Sequence, residues 1–285
     1  MGKTNQVKTN YATRPSATVE ADRKLLDLGF SEVWGYRELL YFFTWRDVKV
    51  RYKQTAIGAA WAIVQPLVTM VIFTVIFGRF ARIPSDNLPY PIFAYTALLP
   101  WTYFASALAK SGTSLVTDAN LITKVYFPRL MIPIAASAAP FVDFFLSFVI
   151  LLGMMVWYGI PPSWHILTLP LFMALAWLTA LAVGLWLSPI NVRFRDIGHT
   201  IPFLTQIWMY ASPVVYPVSM VPERFRLLYS LNPMAGVIEG FRWALLGKAS
   251  PNLSVIMVSA AVVLALSISG TIFFRKVERT FADVI

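Results

Sequence analysis

Few residues in this 285-residue chain could do covalent chemistry. A phosphate-cradling loop ends in Gly-Lys after a strand and an upstream glycine, and neither Gly2-Lys3 nor Gly247-Lys248 has that setting. There is no HExxH pair and no nucleophile elbow. Cysteine is absent and the histidines are only His165 and His199, so thiolate and histidine-cluster metal sites are not expected. Asp143 stands alone in an apolar run. Such an acid is either functional or bonded to a neighbouring helix, and a proton-coupled carrier would be expected to show several.

What remains suits binding rather than catalysis. Trp101, Tyr103 and Phe104 form one aromatic group and Trp208, Tyr210 and Tyr216 another. Aromatic faces stack on the C–H surfaces of sugar rings while Tyr O–H and Trp N–H reach hydroxyls, although the same residues also serve as interfacial belts or helix packing. Glu239 and Arg242, three apart, can pair on one helical face. At membrane depth that pair would clamp neighbouring elements or close a gate.

The elements that must hold these groups follow from composition. The chain is 58% hydrophobic and 13% charged, with mean hydropathy +0.63 and formal net charge +10. Soluble domains carry about 25% charged residues, so this composition predicts an all-α integral membrane protein. The positive charge clusters beside apolar runs, as cytoplasmic loops do, so nucleic acid is not an expected partner. Residues 1–30 are polar, without a contiguous apolar core, and read as a cytoplasmic tail rather than a signal peptide. Residues 31–53 read as an amphipathic helix at the membrane interface, with imperfect segregation of its aromatic and charged residues.

Residues 54–285 are expected to form a six-span membrane domain. The spans are placed at about 57–77, 92–109, 130–157, 166–187, 203–221 and 253–274. Residues 110–129 are read as a loop. Pro213 and Pro217 each remove a backbone donor from the fifth span, freeing carbonyls that need another partner. Half-helices follow at about 222–247: Pro222 and Glu223 open one. Asn232 caps the next, with Pro233 at its first position and Gly247 as a left-handed stop. About 14 residues make roughly 21 Å of helix, too short to cross, so the pair is expected to be re-entrant. With both termini inside, 18 of the 24 Lys and Arg are cytoplasmic, and a seventh span would reverse that bias at the C-terminus.

Six stretches carry a resemblance: TWRDVKVRYKQTAIGAAWAIVQPL, LLPWTYF, LITKVYFPRLMIP, NVRFRD, SPVVYP and LNPMAGVIEGFRWALLG. In this order the chain resembles the permease subunit of ABC-type exporters for polysaccharides and polyol phosphates, the class that moves O-antigens, capsules and teichoic acids. The resemblance runs from Ser31 onward. It implies a homodimer in the bacterial inner membrane, two copies of a separate ATPase chain that bind ATP and Mg, and a lipid-linked polysaccharide substrate. No cofactor is implied for this chain. It places ATPase coupling on the loop that carries Lys124, Tyr126, Phe127 and Arg129, residues that by themselves read as an ordinary basic, aromatic membrane-surface loop; Arg193 and Arg195 form a second inner patch that suits an ATPase contact or a simple orientation signal. With it, the two aromatic groups are read as the sugar path, and Asn232, Pro233, Glu239 and Arg242 as an outer gate, for which a structural clamp is the equal alternative. Rival readings are an ABC permease for a small hydrophobic drug or lipid, a glycan-modifying membrane enzyme, and a secondary carrier using Asp143.

Overall fold

The structure, a computed structural model, describes residues 30–53, 58–247 and 253–278. The expected tail therefore lies outside the described residues, except for Phe30. Among the described residues all regular structure is helical, as the composition predicts.

The interfacial segment divides at Tyr36 into α1 (Phe30–Gly35) and α2 (Arg37–Lys53). Next comes α3 (Gly58–Phe73), which widens into a π-helical turn over Thr74–Phe80. The second apolar run gives α4 (Tyr90–Thr117), a helix of 28 residues that extends through the supposed loop at 110–117. Polarity misled there: Ser111 and Gly112 are buried where α4 meets α8 and α9, and Ser114 is a buried helical residue rather than part of a loop. Then follow α5 (Ala119–Lys124), α6 (Met131–Ala138) and α7 (Phe141–Trp157), with Pro140 breaking what reads as one span. A 3-10 turn at Trp164–Thr168 leads into α8 (Leu169–Arg193). The remainder is α9 (Ile197–Tyr210), a 3-10 turn at Val218–Met220, α10 (Glu223–Tyr229), α11 (Pro233–Leu246) and α12 (Leu253–Glu278).

Among the described residues, five segments are long and apolar enough to cross a membrane: Ala60–Phe80, Tyr90–Thr117, Met131–Trp157, Trp164–Arg193 and Leu253–Glu278. The expected fifth span is not a sixth such helix. Its helical part is the 14-residue α9, which stops at Tyr210. Pro213 disfavours helical geometry at Ser212 and its ring would meet the carbonyl four residues back, so the chain turns there.

α4 is the central element, buried against α3, α6, α7, α8, α9 and α11. Small residues let the helices approach closely, as membrane helix packing requires. A Cβ on Gly184 of α8 would fall 2.2 Å from Ser111 Oγ of α4. At Gly240 of α11 a Cβ would fall 2.1 to 2.4 Å from the Phe172 ring of α8. The α2 end of the bundle gathers α5, the C-termini of α4, α8 and α12, and the start of α9; the opposite end gathers the start of α4, α11 and the turn after α9.

Gly240→Ala is expected to overpack the α8–α11 contact and destabilise the chain by about 1–3 kcal/mol. Gly153→Ala, whose Cβ meets nothing within 4 Å, should not destabilise. Thermal unfolding of the two purified variants, side by side, checks this.

Candidate functional site: a tied coupling face and a clamped turn

At the α2 end, helix α2 is stapled to the bundle through charge. Arg46 bridges Asp47 (2.8 Å) and Asp118 at the end of α4 (2.9 Å). Arg51 reaches Asp143 of α7 at 2.5 Å, and the Tyr52 hydroxyl donates to the same carboxylate. Burial, reinforced by that bond, pushes the Tyr52 phenol above its ordinary range, so it stays protonated and keeps donating. Glu32 of α1 meets Arg275 of α12 at 3.5 Å. Asp143 is therefore not a solitary intramembrane acid. Its partners come from α2, 91 residues back, which local sequence could not reveal.

The predicted coupling residues divide into two kinds. At the end of α5 the chain exposes Lys124, Val125 and Tyr126, with Tyr126 78% exposed. Phe127 instead turns inward, its ring 5.3 Å from Phe43 of α2 in an edge-on contact. Arg129 donates from Nη1 to the Glu278 carbonyl at 2.7 Å, tying this loop to the end of α12. Two of the four thus present a tip and two anchor it. Between α8 and α9, Arg193, Phe194, Arg195 and Asp196 are all exposed, with the Arg193 guanidinium 5.4 Å from the Phe194 ring. The sequence reading missed Val125 and Phe194 in these patches, although exposed apolar residues beside basic ones are a signal it could have used.

At the opposite end, Arg242 of α11 is half-buried. Its guanidinium lies over the Phe93 ring, 3.5 Å from the centroid. It donates to the carbonyls of Val214 (2.8 Å), Tyr216 (3.4 Å) and Phe93 (3.4 Å). The intervening Val215 carbonyl accepts from the Tyr90 hydroxyl at 2.8 Å. Every carbonyl from Val214 to Tyr216 in the broken segment thus has a side-chain donor, as backbone in an apolar setting requires. Glu239 lies one turn before Arg242 on the same helix.

Asn232 acts as read from sequence and does more. Its Oδ1 accepts from Met234 N, capping α11, and also from Trp208 Nε1 at 2.9 Å. Its amide donates to the Ala211 carbonyl and to Ser212 Oγ. Pro233 occupies the first helical position, and Gly247 ends α11 at φ +63. Ser259 of α12 accepts from Gly236 N and donates toward the Ser230 and Asn232 carbonyls.

The aromatic groups need correction. Trp101, Tyr103 and Phe104 are 4%, 2% and 0% exposed, because this stretch of α4 is packed between neighbouring helices. Their roles are internal: the Tyr103 hydroxyl donates to the Ser137 carbonyl beside the Pro140 break, and Phe104 packs edge-on against Trp208 at 5.0 Å. Within this chain they are core, not lining. Of the second group, Tyr210 is exposed, whereas Tyr216 shares a hydroxyl contact with Tyr229 at 3.1 Å.

Comparison with known proteins places this architecture. The family described as ABC-2 type transporter matches residues 38–246. An O-antigen export system permease protein of Myxococcus xanthus is 29% identical over 257 residues, covering 89% of this chain and 98% of the relative. One from Klebsiella pneumoniae is 29% identical over 252 residues, covering 87% and 95%. A polysialic acid transport protein of Escherichia coli is 23% identical over 239 residues, covering 82% and 91%.

Arg242→Met is expected to leave carbonyls of the turn without donors, costing about 1–3 kcal/mol for each that stays buried. Arg242→Lys should recover only part, since an ammonium cannot reproduce the planar fork. Thermal midpoints of the two variants report the difference. Asp143→Asn should free the end of α2, so amide exchange over residues 48–53 rises by about tenfold while that of α11 is unchanged.

Proposed function

Because the chain belongs to the ABC-2 type transporter family, we propose that it is the membrane-spanning subunit of an ATP-driven exporter. Its cargo is a lipid-linked polysaccharide, moved from the cytoplasmic to the outer face of the inner membrane. The observation that carries this reading is the similarity over nearly the whole chain to permeases whose names specify O-antigen export and polysialic acid transport. A permease for small amphiphiles would not be expected to share end-to-end similarity with that group.

In this reading two copies of the chain form the conduit, and two copies of a cytoplasmic ATPase bind ATP and Mg beneath them. Both termini face the cytoplasm. The α2 end is then the inner end, and the exposed tip at Lys124–Tyr126 with the Arg193–Asp196 patch offers charged and aromatic anchors of the kind interfaces use. Closure of the ATPase pair would push on α5. Because Phe127 packs on α2 and Arg129 holds α12, a push on the tip is passed to both helices rather than absorbed in a loose loop.

At the outer end, the turn after α9 and helices α10 and α11 would form the rim that the polymer passes. Arg242 keeps that rim shaped, and its bonds to backbone carbonyls make it a clamp. Sugar contacts fall to exposed aromatics such as Tyr210 rather than to the enclosed group on α4. Weak stacking on several such faces suits a chain that must slide.

Depleting the chain in its own cell should trap lipid-linked glycan on the cytoplasmic face of the inner membrane. Wild-type chain should relieve this, and an ATPase-dead partner should prevent the relief. Glycan distribution that ignores depletion would overturn the polysaccharide assignment in favour of a small amphiphile. Tyr126→Ala should weaken association with the ATPase by about tenfold, as loss of an exposed anchor does, with the thermal midpoint of the chain unchanged.

A further inference from the structure

Between α2, α4 and α6 lies a cavity of about 340 Å³, within the usual range of about 300–1,000 Å³ for small-ligand pockets. Its lining combines the cations Arg46, Arg51 and Lys110 with the carboxylates Asp47 and Asp118. Both carboxylates are held by Arg46, and Asp143, outside the lining, is held by Arg51 and Tyr52. Lys110 differs from the arginines: its ammonium has no hydrogen-bond or ion-pair partner among the described residues. Thr113, Ser114 and Thr117 add three hydroxyls from one face of α4. Each of them donates its one proton to a carbonyl of its own helix, and donates to an oxyanion by exchanging that bond for the new one.

A half-enclosed cation with no direct ion pair, its charge offset only at a distance by Asp143 and Asp47 and backed by two guanidinium groups and a row of hydroxyls, is suited to an oxyanion. The flank of α2 identifies where that anion would come from. The row Tyr41, Trp45 and Lys49 runs beside the row Phe42, Arg46 and Val50, and Tyr41, Phe42 and Trp45 are all exposed. Lys49 Nζ lies 5.6 Å from the Trp45 ring. Exposed Trp and Tyr interleaved with Lys and Arg match the headgroup layer of a bilayer. The cavity therefore sits beside a surface suited to lipid headgroups.

We propose that this cavity binds the phosphoryl headgroup of an anionic lipid, with Lys110 as its principal countercharge. Two sources share that chemistry: the diphosphate of a polyprenyl carrier bearing the cargo, and the phosphodiester of a bulk phospholipid. The carrier assignment rests on the export reading; the phosphoryl site itself does not. A headgroup held here would lie against the ion pairs that tie α2 to α4 and α7, so its arrival and departure would be felt by the helix that links the ATPase face to the bundle.

The test uses the full chain in phosphatidylcholine nanodiscs doped with polyprenyl diphosphate or with phosphatidylglycerol, and native mass spectrometry to count retained probe. Lys110→Gln should lower retention of the diphosphate by about tenfold, and Lys110→Arg should restore it. Thr117→Val, at the exposed rim, should lower retention by about threefold without threatening the fold. Loss confined to polyprenyl diphosphate assigns the site to the carrier, and equal loss of both probes assigns it to bulk anionic lipid. Retention of both probes that is indifferent to Lys110→Gln and to Thr117→Val would overturn the proposal. Glycan distribution in cells carrying the wild-type chain separates the two claims. Intact export with indifferent retention removes the phosphoryl site alone, whereas absent export removes the polysaccharide reading whatever the cavity binds.

Discussion

Backbone carbonyls released inside an apolar bundle must find donors, and much of this structure follows from how they do. The turn after α9 exists because Pro213 and Pro217 end a helix where hydropathy alone would have extended it. Arg242 and Tyr90 supply the missing donors at Val214, Val215 and Tyr216. Tyr103 does the same at Ser137 beside the Pro140 break, and Tyr95 donates to the Ser147 carbonyl in α7. Three tyrosines of one central helix thus serve the backbones of its neighbours. That duty explains why α4 is rich in aromatics with polar tips while remaining enclosed.

The opposite end uses charge for a comparable purpose. Arg46, Arg51, Tyr52 and Glu32 bind α1 and α2 to α4, α7 and α12. Such pairs at a half-exposed surface contribute little net stability, but they fix the direction in which a helix can move. A surface helix tied at several points along its length transmits displacement as a lever. The tip at Lys124–Tyr126 is anchored to the same lever through Phe127 on Phe43. On the proposed reading, coupling and lipid-headgroup recognition meet on one element, since α2 carries both the ties to the bundle and the exposed aromatic row.

Reading from sequence succeeded where the determinant is local. The cap at Asn232, the start at Pro233 and the left-handed stop at Gly247 need only side-chain reach and backbone sterics, and all three are present. It failed where partners are distant. Residues 110–117 looked like a loop because serine and glycine are polar or small, yet Ser111 meets Gly184 of α8 in a close helix crossing. Trp101, Tyr103 and Phe104 looked like a sugar-binding group because nothing in their spacing reveals that α4 is surrounded. Arg129 looked free for a partner until Glu278 of α12 was found beside it.

By itself the sequence determined the medium and the materials: an apolar, basic, helical chain for a membrane, with broken helices at known prolines and no catalytic constellation. Hydropathy, capping and proline sterics act within a few residues, so one strand of text contains them. The tertiary structure decided which side chains face outward, which donors meet the freed carbonyls, and that Arg46 and Arg51 make direct ion pairs where Lys110, among the described residues, makes none. Those outcomes depend on groups far apart in the chain converging in a low-dielectric interior, where a missing partner is costly and its presence is invisible to local pattern.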